Sequence, residues 1–493
     1  MIEQRREGGR EGIVSSFVRE RFGHQAASVV DRSLVRYSRL PMIKRHSGDS
    51  TADGGGGVVT VTGVLEVEGS SNNLSKPQRP IGLLDLPDVR TEVFQQPHKA
   101  SIRMSSHTQR YLLMFEGVAL LSIVAALNRV LSVEGRSDAL SVFKLFYFPL
   151  LPIVAMMWLW GLNVYVWSQL PVNYVRVFEA EDRPTLPSHD DLFRMAHAVT
   201  CAVLVSAVIF ISCSLWDMRA AAHTQAELLY LGLLAFVLLP GDYFFKKQRR
   251  FLVATVARIV FPIKPVSFAE FLLADVLTSV AKPISDVGLV VCHMIHAWGG
   301  TQTELEPEMH CSPTSWVFAW VLALPYLWRL VQCVRIYYVL GEKPQLVNAL
   351  KYFTAFPVIY LSTAKYHVDR DTWLAFYKPL WIVSAIINSF FSYYWDISRD
   401  WDLGLFSLAP GGHSNLRHDL VYTNKEFYQW AIVSNLFLRI TWTFKLSAQL
   451  RGMIGLSLFI SFLEVFRRFQ WLFIRIEVAL LKDIRAYVRD LET

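Results

Sequence analysis

From Tyr111 to its C-terminal region the sequence returns again and again to apolar windows of about 20 residues, the length of helix that crosses a hydrocarbon core. Ten such windows stand out: Arg110–Leu131, Leu145–Gln169, Phe193–Trp216, Ala226–Phe245, Phe268–His296, Ser315–Val339, Leu346–Ala364, Trp373–Trp395, Phe427–Ser447 and Gly452–Val478. A count of nine or eleven stays open, because the fifth window carries Asp275, Pro283 and Asp286. With 53% hydrophobic and only 18% charged residues, the chain is too apolar for an ordinary soluble multidomain protein. The expected fold is an all-α polytopic membrane protein with about ten transmembrane helices.

Basic residues predict its orientation. "KKQRRFLVATVARIVFPIKP" lies between the fourth and fifth windows, and Arg329 and Arg335 lie toward the end of the sixth. The intervening "GGTQTELEPEMH" is acidic. Positive loops face the cytosol, so both termini, the loop Val172–Arg194 and the loop Ile397–Glu426 are predicted to be cytosolic. The formal charge of +7 is then mostly a topology signal, and no basic patch interleaved with aromatics points to nucleic acid.

No apolar core occurs in the first forty residues, so the first span is expected to act as the targeting signal. Residues 1–105 are polar and Gly-rich and read as a mostly disordered cytosolic tail. "VVTVTGVLEVEG" could add one short strand or hairpin, and the acceptor pattern at Asn73 is expected to stay unmodified on the cytosolic side. Residues 106–250 then form a four-helix membrane scaffold and 251–493 a second membrane domain.

Of five cysteines, Cys201, Cys213 and Cys333 sit inside apolar windows as small hydrophobic side chains. Cys292 and Cys311 are placed for a lumenal disulfide. The alternative is a lumenal zinc site drawing on Cys292, His293, His296, His310 and Cys311, at a spacing that matches no common pattern.

The first four windows carry few ionisable groups, whereas the last six hold charges at membrane depth: Asp275, Lys351, Asp396, Asp400, Arg439, Arg467 and Arg468. Each costs a few kcal/mol at the bilayer centre unless it faces a partner or a water-filled path. Asp396 and Asp400 share a face if their helix continues past Trp395, as do Arg439 and Trp442, three apart. Arg467 and Arg468 diverge by about 100° and can both line a wide cavity. Four cations against three carboxylates suit an oxyanion, with guanidinium groups well shaped for phosphate, sulfate or a carboxylate.

Bland readings compete with each of these. Arg467 and Arg468 could pair with Glu464, Asp396 and Asp400 could lie in an exposed loop, and Lys351 could snorkel to the surface. Asp275 could be a structural polar group, and Tyr352 and Trp442 could be packing residues. Asp286, Glu270, Arg329 and Arg335 are read as structural. No GxSxG, HExxH, P-loop or dinucleotide pattern stands in a suitable context, so no enzyme and no cofactor is expected.

The segments "RLVQCVRIYYVLGEKPQLVNALKYFTAF", "FSYYWDISRDWDLGLF", "FLRITWTF" and "LEVFRRFQWLFIRIEVALLKDIRAYVRD" together resemble the EXS domain of eukaryotic phosphate exporters. Upstream, "GLNVYVWSQLPVNYVRVFEAE" and "SFAEFLLADVLTSV" extend the resemblance to about residue 145. It implies an inorganic phosphate transporter whose core is the last six helices. It also implies a phosphate path through Asp275, Thr278, Lys351, Tyr352, Asp396, Asp400, Arg439, Arg467 and Arg468, with Trp442 as a gate and a homodimer through the early spans.

Two departures qualify the likeness. The tail is too short and Gly-rich for the SPX sensor domain of the large exporters, and "DWDLGLF" is similar to the SPX-less branch. That branch implies a multi-pass Golgi protein moving phosphate from lumen to cytosol, with glycosyltransferases or coat components as possible partners. The rival readings are a Golgi retention or sorting receptor and a plasma-membrane exporter.

Overall fold

The computed structural model describes residues 106–131, 137–170, 172–238, 244–298, 311–403, 419–422, 424–446 and 455–492. The expected tail at 1–105, with its possible hairpin and Asn73, lies outside them, as do His310 and most of the loop 397–426. The described residues divide into two units, one of those from 106 to 419 and from 429 to 492, and one of those between 420 and 428. In the described part of the latter, the Tyr422 N–H donates to the Tyr428 hydroxyl at 3.3 Å, and both rings meet Phe427.

The described residues are helical, without a strand. The helices are α1 Ser106–Leu131, α2 Ser137–Tyr147, α3 Leu150–Gln169, α4 His189–Leu215, α5 Arg219–Leu238, α6 Lys246–Val260, α7 Phe268–Ser279 and α8 Ala281–Trp298. They continue with α9 Trp316–Leu340, α10 Pro344–Phe353, α11 Ala355–Ala364, α12 Lys378–Trp395, α13 Lys425–Arg439 and α14 Leu456–Glu492. Start and stop signals are local. Ser188, Ser267 and Ser315 each accept a backbone N–H from the first turn of α4, α7 and α9, satisfying a donor the helix leaves open. Gly341 ends α9 with φ +69°, a conformation that favours glycine. Gly161 lets α3 approach α4: a Cβ there would stand 2.9 Å from the Phe193 ring.

Among the described residues five stretches are long and apolar enough to cross a membrane: Ala139–Gln169, His189–Leu215, Arg219–Leu238, Trp316–Leu340 and Arg370–Asp400. A sixth is counted if α7 and α8, bent by 72°, form one broken span. The ten expected windows thus all meet helix, but length and apolarity establish only five or six as spans. The bend has a chemical cause. Pro283 has no N–H to offer the Ser279 carbonyl, so the helix cannot run straight through the fifth window.

The early helices hold more polarity than expected. Glu116 of α1 meets His197 of α4 at 2.8 Å, both largely buried, and the Trp158 ring edge packs on the imidazole. Tyr147, Ser206 and Gln225 close a hydrogen-bonded triangle among α2, α4 and α5. Cys292 of α8 and Cys311 are joined by a disulfide with Cα atoms 5.8 Å apart. His296 lies beside the two sulfurs, but they are bonded to each other and cannot also serve as thiolate ligands. That corrects the zinc alternative.

Candidate functional site

Two breaks and a tightened turn bring the charged residues together. The break after α7 leaves Thr278 and Ser279 at the bend, and the Thr278 hydroxyl donates to the Asp275 carbonyl at 2.7 Å. α10 and α11 meet at Thr354, where Pro357 removes a helical donor and the Thr354 hydroxyl bonds the Lys351 carbonyl and Asn388 Oδ1. α12 continues past Trp395 as a wide π-type turn, Asp396–Asp400, so both carboxylates stay inside, 2% and 7% exposed. The exposed-loop reading of this pair is therefore wrong.

Asp275 is the hub of the first group. Its Oδ1 accepts the Tyr352 hydroxyl at 2.5 Å and Arg329 Nε at 2.9 Å. Arg329 is fully buried, donates Nη1 to Gln332 at 2.7 Å, and lies over the Phe271 and Tyr352 rings. Its Nη2 has no acceptor among the described residues. Lys351 is buried rather than snorkelling, with Nζ 4.1 Å from the Tyr352 ring centroid and 5.5 Å from that of Trp395. No hydrogen bond from that Nζ is made among the described residues. Asp400 likewise makes no side-chain hydrogen bond there, and its main electrostatic partners are Lys351 and Arg475.

Asp396 organises the second group. Its Oδ2 accepts Arg439 Nη2 at 2.5 Å, Arg439 Nε at 3.2 Å and Asn435 Nδ2 at 3.1 Å. Arg467 Nη1 stands 3.6 Å from the same oxygen, within ion-pair reach but too far for a hydrogen bond. Arg467 also donates Nε and Nη2 to Glu464, at 3.0 and 2.9 Å. Arg468 points elsewhere, as its 100° offset requires: Nε bonds Ser279 at 3.0 Å and Nη2 bonds Thr278 at 3.2 Å, with the guanidinium over the Trp471 ring. The arginine doublet therefore ties α14 to both groups.

One expectation about shape needs correction. α13 stops at Arg439, and Trp442 stands on the 3-10 turn Thr441–Leu446, not on the same α-helical face. Thr441 and Thr443 turn their hydroxyls onto the carbonyls of Leu438 and Ile440, and this β-branched run does not favour continuing the helix. Trp442 donates to Ser389 Oγ at 3.0 Å and meets the edge of Trp381.

Arg329, read from sequence as structural, belongs to the cluster. So does Arg475, whose guanidinium lies over Phe271 and whose buried Nε has no acceptor among the described residues. The missed signal was spacing: Arg475 stands seven residues after Arg468, two turns along the same face, and Arg329 stands three before its partner Gln332. Arg258 and Glu270, in contrast, pair with each other at 2.6 Å.

Six cations, Arg329, Lys351, Arg439, Arg467, Arg468 and Arg475, thus gather around four carboxylates, Asp275, Asp396, Asp400 and Glu464. The fold and this network define a multi-pass helical membrane protein with a buried network of charged side chains.

The chain belongs to the EXS family, which it matches over residues 142–481. It is 34% identical over 343 residues to the Xenotropic and polytropic retrovirus receptor 1 homolog of Xenopus laevis. It is 32% identical over 344 residues to solute carrier family 53 member 1 of Homo sapiens. Each alignment covers 66% of this chain and 48% of the relative, so the chain spans about half the length of the curated relatives it matches.

Proposed function

We propose that the chain carries inorganic phosphate across a Golgi membrane, from lumen to cytosol, through the buried cluster between α7 and α14. The observation that supports this most is a surplus of guanidinium donors. Among the described residues Arg329 Nη2 and Arg475 Nε are buried without an acceptor, and Arg467 Nη1 has only a long contact to Asp396. Buried N–H groups without partners are costly, and the oxygens of a phosphate are the acceptors that suit several arginines at once.

In this reading Asp396 and Glu464 hold Arg439 and Arg467 in place until phosphate displaces part of that pairing. Arg468, set by Thr278 and Ser279, and Lys351, set between aromatic rings, complete the path together with Asp275, Tyr352 and Asp400. Trp442 is the constriction. A curated relative named as a solute carrier supports solute transport as the common task. Sequence features of the SPX-less branch support the Golgi setting, where transfer from nucleotide sugars leaves phosphate in the lumen.

Purified protein in liposomes should pass radiolabelled phosphate in a saturable manner and faster than chloride. Liposomes containing the protein but leaking no more phosphate than empty ones would overturn the proposal. A tagged copy should co-localise with a Golgi marker, and a plasma-membrane signal would overturn the location alone.

A further inference from the structure

α6 is fixed at both ends by arginines whose donors go to backbone carbonyls. At its start, Phe245 adopts φ +57°, and Arg249 donates Nε to the Phe244 carbonyl at 2.8 Å and Nη1 to the Phe236 carbonyl at 3.2 Å. Beyond its end, Arg335 of α9 donates Nε to the Lys264 carbonyl at 2.8 Å and Nη2 to that of Ile263. Arg258 turns inward to Glu270 of α7.

What remains points outward. Lys247, Arg250, Val253 and Ala257 are all exposed, and at 100° per residue they fall within about a third of the helix circumference. Bulky apolar side chains flank this stripe: Phe244 is 78%, Phe261 69% and Ile263 82% exposed. α6 contains no acidic residue, and Lys247 and Arg250 make no ion pair among the described residues.

Such a surface is out of place in water and also too charged for a hydrocarbon core. α6 joins the membrane-crossing α5 to the broken pair α7 and α8, which sets it at a bilayer boundary. A basic and apolar stripe on a helix at that depth is complementary to lipid headgroups over acyl chains.

We propose that the outward face of α6 is a contact for anionic phospholipid. Lys247 and Arg250 hold the headgroup phosphates, and Phe244, Phe261 and Ile263 enter the acyl boundary beside them. The contact does not depend on what the chain transports.

Native mass spectrometry of the full chain, titrated with phosphatidylserine or phosphatidylcholine, tests it. Each basic residue near an anionic surface contributes roughly fivefold, so Lys247→Gln/Arg250→Gln should bind phosphatidylserine about thirtyfold more weakly, with phosphatidylcholine unchanged. Equal phosphatidylserine binding by both proteins would overturn the proposal. A second readout places a fluorophore on Ala257→Cys, with the three free cysteines changed to alanine, in the reconstituted protein. Quenching by a lipid-borne nitroxide and not by aqueous iodide is expected. Quenching by iodide alone, or protection from both because a protein segment covers the face, would overturn it.

Discussion

Arg329 keeps its charge out of water with one carboxylate, one phenol, one amide and two aromatic faces around it. Removing one partner of such a buried pair costs about 3–5 kcal/mol, because the other charge is left uncompensated. Asp275→Asn should therefore lower the unfolding temperature markedly in detergent. Asp275→Asn/Arg329→Gln should lower it by less than the two single changes combined, a coupling of about 0.5–3 kcal/mol. Strict additivity would show that the pair does not act as a unit. At this scale the sequence revealed the charges at membrane depth but not their pairing. Asp275, Lys351, Asp396 and the arginine doublet were legible because a charge inside an apolar window is too costly to keep without a partner or water. Arg329 and Arg475 were not: Arg329 reads with Arg335 as a topology marker although it lies in the middle of α9, and Arg475 falls near the end of its predicted window although α14 runs on to Glu492.

The break between α7 and α8 is the element that exposes Thr278 and Ser279 to Arg468. Pro283→Ala removes the obstacle to a continuous helix. It should cut phosphate flux about tenfold, with the unfolding temperature unchanged or raised. Full flux in that variant would mean that the bend does not set Arg468. The Cys292–Cys311 bridge is a separate prediction: closing a chain segment with a sequence separation of 19 should contribute about 3 kcal/mol. Thermal unfolding with and without reductant checks it, because only the wild type, not Cys292→Ser/Cys311→Ser, should respond. Pro283 announced the bend in the sequence. The end of α13 at Arg439 was harder to foresee, because the threonines that close it are also common inside apolar membrane helices.

At the scale of the molecule, periodic apolar windows located helices in all ten intervals, yet among the described residues only five or six meet a simple length-and-apolarity standard. In the first window only the shorter apolar stretch Tyr111–Ile123 qualifies, and the rest of the shortfall lies around the site. α10 and α11 are short because the chain breaks at Thr354, α13 is short because it stops at Arg439, and the charges of α14 lower its apolarity while pairing inside. Orientation rests on the basic loops alone and can be measured. A glycosylation acceptor inserted within residues 301–306 should be modified, and one inserted beside Lys247 should not. The reverse pattern would invert the topology.

The central claim is that the cluster's guanidinium groups bind phosphate on its way across. Phosphate flux through proteoliposomes should be compared between wild type and Arg467→Ala/Arg468→Ala at matched insertion, with the unfolding temperature checked for both. Hydrogen bonds to charged groups contribute about 1.5–3 kcal/mol each, so the variant should lose at least about a hundredfold in flux, and Arg467→Lys/Arg468→Lys should lose less. Wild-type flux in the alanine variant would contradict the account.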